Sequence, residues 1–200
     1  MENNDFVIKT NAYNLKSLVK YQGNDSVITV PKGVEFIEYR SFADLDFIDT
    51  VIMADSVLML SSGCFSSSSV RRVVFPKSVH SIGGRSFENC KNLKTLVIEN
   101  PEISFGVSPF KNASTDFEII FSGTCQQFDK AASNAYGGTE EYQSGDYHHP
   151  SSTRFEYRKY KIYEHIFSDT LNTPFTCTVK CADGELVYHE MEDKKRKVEV

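Results

Sequence analysis

One phenylalanine column sets the frame. Phe42, Phe65, Phe87 and Phe110 recur at intervals of 22 or 23 residues, and three further columns keep the same beat. Ile28, Val51, Val73, Leu96 and Ile119 form the first, Val30, Met53, Phe75, Ile98 and Phe121 the second, and Ile37, Leu60, Ile82 and Phe105 the third. A period of this length means that no unit can bury its apolar face alone. Each must stack on its neighbours, and the fold is a rod of coils.

Composition is compatible with such a rod. Two hundred residues that are 40% apolar can bury a sizeable core. A formal net charge of -5 argues against nucleic acid or an anionic membrane as the main partner, because both select basic patches. Apolar runs such as Val57-Leu58-Met59-Leu60 fall far short of the roughly 20 residues a bilayer-spanning helix needs. The opening residues Met1-Glu2-Asn3-Asn4-Asp5 lack the features of a secretory signal, so a cytoplasmic location is expected of the sequence as written. The five cysteines are an odd number without framework spacing, and they read as free thiols, with Cys64 and Cys90 buried beside the repeat corners.

Within one unit the physics is local. Leu93, Leu96 and Ile98 punctuate a short extended run with one face inward. In the preceding unit Pro76 ends the strand, Val79 and Ile82 turn inward again, and Gly83-Gly84 permits a sharp corner. Residues 85–92 then form a turn or short helical coil that plants Phe87 and Cys90 in the core.

These residues resemble the BspA-like class of leucine-rich repeats. The resemblance rests on Val73-Val74-Phe75-Pro76-Lys77-Ser78-Val79-His80-Ser81-Ile82-Gly83, then Ser86-Phe87-Glu88-Asn89-Cys90 and Asn92-Leu93-Lys94-Thr95-Leu96. The unit with Val30-Pro31, Val34, Ile37 and Phe42 matches too, whereas the next is degraded, with Ala54 in place of proline and Ser61-Ser62-Gly63-Cys64 at the corner. Residues 18–23 are similar to the family's opening module. The likeness implies a right-handed leucine-rich-repeat solenoid, β-rich with short helical turns, whose strands line a concave surface. It also implies non-enzymatic recognition of proteins or other macromolecules, often at a cell surface.

The expected organisation is an amino-terminal cap over 1–26, repeats over 27–124, a small α+β capping module over 125–190 and a charged, disordered tail over 191–200. Thr124-Cys125-Gln126-Gln127 has the form of a capping box opening a helix that runs to about Ala135. Residues 136–153 read as a loop, and 154–166 are ambiguous between strand and helix. Phe175 to Tyr188 reads as a hairpin turning at Asp183-Gly184, whose positive backbone angles those residues would supply.

The candidate contact site is the ladder of residues lying between the two inward columns of each strand: Thr29, Ile52, Val74, Val97 and Ile120. Four of the five are apolar, and an exposed stripe of that kind marks a contact surface unless the carboxy-terminal segment covers it or the β-branched residues are there only because they suit strands. Asp49, Arg71, Arg72 and Lys94 flank it as a charged column at the strand starts.

No cofactor, metal or catalytic residue is expected. Cys177 and Cys181, considered with His165, His189 and His148-His149, stand about 13 Å apart along an extended strand, too far to share one tetrahedral ion. No hydrolase elbow, phosphate loop or His-Glu-x-x-His helix is present, and Ser66 to Ser69 reads as a corner. The rival readings are a hydrolase or metal-dependent enzyme built on the carboxy-terminal module, and a structural piece of a larger surface protein.

Overall fold

A computed structural model describes residues 5–142, 158–164, 166–167, 175–189 and 198–199. The chain enters through two antiparallel strands, β1 (Phe6–Thr10) and β2 (Lys16–Tyr21). Each following coil contributes a long strand and a two-residue strand. These are β3 (Val27–Thr29) with β4 (Phe36–Ile37), β5 (Thr50–Ile52) with β6 (Met59–Leu60), β7 (Arg72–Phe75) with β8 (Ser81–Ile82), and β9 (Thr95–Ile98) with β10 (Ser104–Phe105). Beyond β11 (Asp116–Phe121) come α1 (Cys125–Ser133), β12 (Ala135–Tyr142), β13 (Arg158–Glu164), β14 (Thr176–Cys181), β15 (Gly184–His189) and β16 (Val198–Glu199).

The coils stack into two sheets. One runs β1-β2-β4-β6-β8-β10 and the other β16-β15-β14-β11-β9-β7-β5-β3. Successive coils pair in parallel in both, so the rod is a β-solenoid. The two-residue strands form a sheet of their own, separate from that of the long strands.

The inward columns are buried as their period requires. Val51, Val73, Leu96 and Ile119 are each 0% exposed, and Ile37, Leu60, Ile82 and Phe105 line the opposite wall at 1% or less. Alternation of β-branched and aromatic residues across a half-buried pleat is what makes these segments extended. The phenylalanine column forms a continuous spine. Ring centroids lie 5.1 Å apart for Phe42–Phe65, 5.3 Å for Phe65–Phe87 and 5.7 Å for Phe87–Phe110, with interplanar angles of 8°, 4° and 18°. Tyr21 continues the stack at one end and Phe167 at the other. Each such pair contributes about 0.5–1.5 kcal/mol beyond its area burial.

The turns that carry these rings are not helical. Arg40, Gly63, Arg85 and Ser108, each two residues before a spine phenylalanine, all have positive φ, and so do Asp44, Ser67, Asn89 and Asn112, each two residues after one. Two left-handed residues per turn exclude a helix, at about 1–2 kcal/mol for each residue other than glycine. Hydrogen bonds from coil to coil offset that strain: Phe42, Phe65 and Phe87 donate their backbone N–H to the carbonyls of Cys64, Ser86 and Pro109 at 2.8–2.9 Å. Arg40 and Asp44, the two left-handed residues of the first turn, also form an ion pair.

The degraded coil follows the same path. Val57 N–H bonds to Ala54 O as Val34 and Val79 bond to Pro31 and Pro76, so what proline supplies there is a carbonyl that alanine also carries. Gly63 takes the left-handed position that Arg40 and Arg85 fill elsewhere. The corner glycines serve another purpose than expected. Gly83 and Gly84 lie outside the left-handed region. A Cβ on Gly83 would stand 2.5 Å from the Ser61 carbonyl carbon, so glycine is required there by the close approach of neighbouring coils.

After the repeats, α1 opens with the expected capping box. Thr124 Oγ1 accepts Gln127 N–H at 3.2 Å and Gln127 Oε1 accepts Thr124 N–H at 2.9 Å. Its Phe128 packs edge-on against Phe105 and Phe121. Residues 135–142 pair antiparallel with 158–164, although 136–142 fall in the stretch expected as loop and Ala135 at the expected helix end. β14 adds in parallel to β11, and β15 pairs antiparallel with β14. Cys181 opposes Gly184, so the hairpin turns on Ala182 and Asp183, one residue earlier than expected, and Gly184 has already entered the strand without a positive φ. Val198–Glu199, expected in a disordered tail, pairs with β15.

Candidate functional site

The long strands hold their outward residues in one rank. Thr29 pairs with Ile52, Ile52 with Val74, Val74 with Val97, and Val97 with Ile120. At about 4.8 Å per strand the ladder is roughly 20 Å long. Thr29 is exposed, Ile52 and Ile120 are each 38% exposed, and Val74 and Val97 are half-buried. The next residue in register is Lys180 on β14. β14 and β15 therefore lengthen the sheet edge to edge and give the apolar rank a basic end.

The other sheet presents a different outer rank: Ser17, Phe36, Met59, Ser81 and Ser104 in register. Only two of these five are apolar, so the long-strand face carries the more continuous apolar stripe.

The charged residues divide into two columns. Asp49, Arg71 and Lys94 lie just before their strands and are linked by Arg71 N–H to Asp49 O and Lys94 N–H to Arg71 O. Arg71 Nε is 3.6 Å from Asp49 Oδ1, and Lys94 Nζ is 3.9 Å from Asp116 Oδ2. Arg72 stands apart from that column. It pairs with Thr50 and Thr95, in the rank that continues to Glu118. Lys180 Nζ bonds Glu118 Oε2 at 2.7 Å, which raises the lysine's pKa through the carboxylate contact. These pairs are exposed and add about 0–1 kcal/mol each to stability. They make shallow hollows beside the ladder, one lined by Phe47, Asp49, Arg71 and Lys94, another by Lys94, Glu118, Thr178 and Lys180.

Of the serine corner, Ser66 and Ser68 are buried, and Ser69 Oγ donates to Ile48 O at 2.6 Å. Cys64 and Cys90 are buried, and burial pushes their thiols up to about 12 and about 11. Cys177 is fully buried opposite Tyr188, and the same cause raises its thiol well above the ordinary value. His148, His149 and His165 lie outside the described residues, as does the side chain of His189.

Sequence reasoning set Cys181 against Cys177 and missed its actual neighbour. Cys125 Sγ, Cys181 Sγ and a carboxylate oxygen of Asp183 lie within 4.8 Å of one another. Asp183 Oδ1 accepts the Cys125 N–H at 2.7 Å. Neither strand period nor spacing pairs Cys125 with Cys181 and Asp183; only the closure of α1 against the hairpin does.

The profile of the BspA-type leucine-rich-repeat region matches residues 11–136 in six copies. The chain belongs to the BspA-type leucine-rich-repeat family. Among solved structures, these BspA-type repeats resemble the pneumococcal vaccine antigen PcpA, with a TM-score of 0.50 and 16% identity over 62% of this chain and 33% of PcpA. A leucine-rich cell surface protein of Faecalibacterium prausnitzii is 21% identical over 64% of this chain and 41% of that one, with a TM-score of 0.47. A leucine-rich-repeat protein of T. pallidum is 14% identical over 60% of this chain and 70% of that one, at 0.43. The chain thus spans about a third to two fifths of the first two. No curated protein matches it in sequence. Among the described residues no helix is long and apolar enough to cross a membrane. The cytoplasmic location expected from the opening residues finds no support in these likenesses.

Proposed function

We propose that the chain is a non-enzymatic interaction scaffold that binds a protein or other macromolecule, rather than nucleic acid or a membrane, through its long-strand face. The observation that carries this reading is the in-register rank Thr29, Ile52, Val74, Val97 and Ile120, with Ile52 and Ile120 each 38% exposed at the two ends of its apolar part. Apolar side chains held in line on a rigid sheet offer area without the ordering cost that a loop would incur on binding. Arg72, with Asp49, Arg71 and Lys94 beside it, would supply the polar rim. In the same reading the solenoid is right-handed and the ladder face concave. Residues 1–26 close one end, 27–124 form the repeats, and α1 with β14 and β15 within 125–190 caps the last coil. A cell-surface location, common for BspA-type repeats, follows as part of the proposal.

The test places a photoreactive side chain at Val74 and, separately, at the outward position of Met59 on the opposite sheet. A partner crosslinked from Val74, lost when Val97→Glu is added and not captured from Met59, is the expected result. Equal capture from both faces, or capture that survives Val97→Glu, contradicts the reading.

A second reading, drawn from the family likeness, is a structural segment of a larger surface protein. That reading predicts no specific crosslink from Val74.

A further inference from the structure

We propose that Cys125, Cys181 and Asp183 form a binding site for a soft divalent cation such as Zn2+, coordinated by two sulfurs and one carboxylate oxygen, with a fourth position left for water. The proposal is independent of the long-strand face.

The three donors come from two segments that the fold brings together. Cys125 is the first residue of α1, Cys181 the last residue of β14, and Asp183 sits in the turn that follows. Their ligand atoms already lie within 4.8 Å of one another. A tetrahedral ion with sulfur at about 2.3 Å and oxygen at about 2.0–2.2 Å needs donors about 3.5–3.8 Å apart, so each pair has to close by at most about 1.3 Å. The backbone is held on both sides of the three donors. Ala182 N–H bonds Gly123 O at 2.9 Å, and Asp183 Oδ1 holds the Cys125 N–H at 2.7 Å. That bond orients the carboxylate and leaves its other oxygen for the ion, as outer partners orient metal ligands elsewhere.

Access and charge point the same way. Cys125 and Cys181 are half-exposed, whereas Cys64, Cys90 and Cys177 are buried. A dication there would sit between two sulfurs and a carboxylate and balance their charge once the thiols give up their protons. Two thiols and one carboxylate take up the ion, two protons pass to solvent, and two sulfur–metal bonds and one oxygen–metal bond form. No electron changes hands. The bound ion would staple the β14–β15 hairpin to α1.

The full-length protein is titrated in reducing buffer with Co2+, followed by Zn2+. The expected result is a sulfur-to-cobalt charge-transfer band that saturates at one equivalent and is abolished by Zn2+. Cys125→Ser and Cys181→Ser should each remove the band, Asp183→Ala should weaken Zn2+ binding by more than the roughly 10–100-fold that loss of an outer partner costs, and the double change of His148 and His149 to Ala should leave the band intact. Absence of the band in the wild-type protein overturns the proposal whatever the variants do. So does a band that persists in folded Cys→Ser variants, or a Cys125–Cys181 disulfide in the isolated protein whose reduction restores no metal uptake.

Discussion

Asp183 Oδ1 accepts the backbone N–H of Cys125 at 2.7 Å, joining the turn of a hairpin to the first residue of a helix 58 positions earlier. The bond satisfies a helical N–H that has no partner within α1, beside the Thr124–Gln127 capping box. Asp183→Ala and Thr124→Ala are each expected to destabilise the protein by about 0.5–2 kcal/mol. Because both act on one helix end, their effects should add to less or more than the sum by a measurable coupling. Urea denaturation of the two single variants and the double variant checks this, and strictly additive losses would detach Asp183 from the helix start.

Close approach between coils yields a second expectation. Gly83→Ala should cost about 1–3 kcal/mol, because the added methyl meets the Ser61 backbone, which cannot move without shifting the coil. Gly33→Ala differs in mechanism: its site is open but its φ is +85°, so the only cost is an added left-handed strain of about 1–2 kcal/mol. Replacing each glycine with D-alanine separates the two, since it should rescue position 33 and not position 83.

The buried thiols set an alkaline limit. Cys64 and Cys90 are raised from 9.0 to about 12 and about 11 by desolvation. Above pH 9 the unfolded chain loses those protons while the folded chain keeps them, so the native state binds more protons and stability falls as pH rises. The contribution is complete below pH 9 and is lost between about 9 and 12. Denaturation midpoints across that range should decline, and Cys64→Ala should flatten the decline. A thiol reagent at neutral pH should modify Cys125 first and leave Cys64, Cys90 and Cys177 unreacted until the protein unfolds.

Much of this architecture was legible because it is periodic. The columns of Val51, Val73 and Leu96 and of Phe65 and Phe87 are buried as their spacing demands, and Thr124 and Gln127 cap α1 as their identities demand. What escaped has a common cause. The pairing of 135–142 with 158–164, the meeting of Cys125 with Cys181, and the place of Arg72 in a different rank from Arg71 are set by which segments pack together, a matter no local pattern encodes. The glycines at 83 and 84 were misassigned for a related reason: a residue without a side chain signals either an unusual φ or a crowded neighbour, and only the adjacent coil tells which. The ladder itself was legible as alternation, but its basic continuation through Lys180 depends on β14 joining β11.

The stacked coils are tested most directly by a double-mutant cycle on Phe65 and Phe87, whose rings lie 5.3 Å apart and 4° from parallel. Each alanine substitution alone should cost about 3–5 kcal/mol. The cycle should return a coupling of about 0.5–3 kcal/mol between residues that share a contact, whereas additivity within about 0.3–0.5 kcal/mol would mean that the two rings do not touch and that the coils are not held by a common spine.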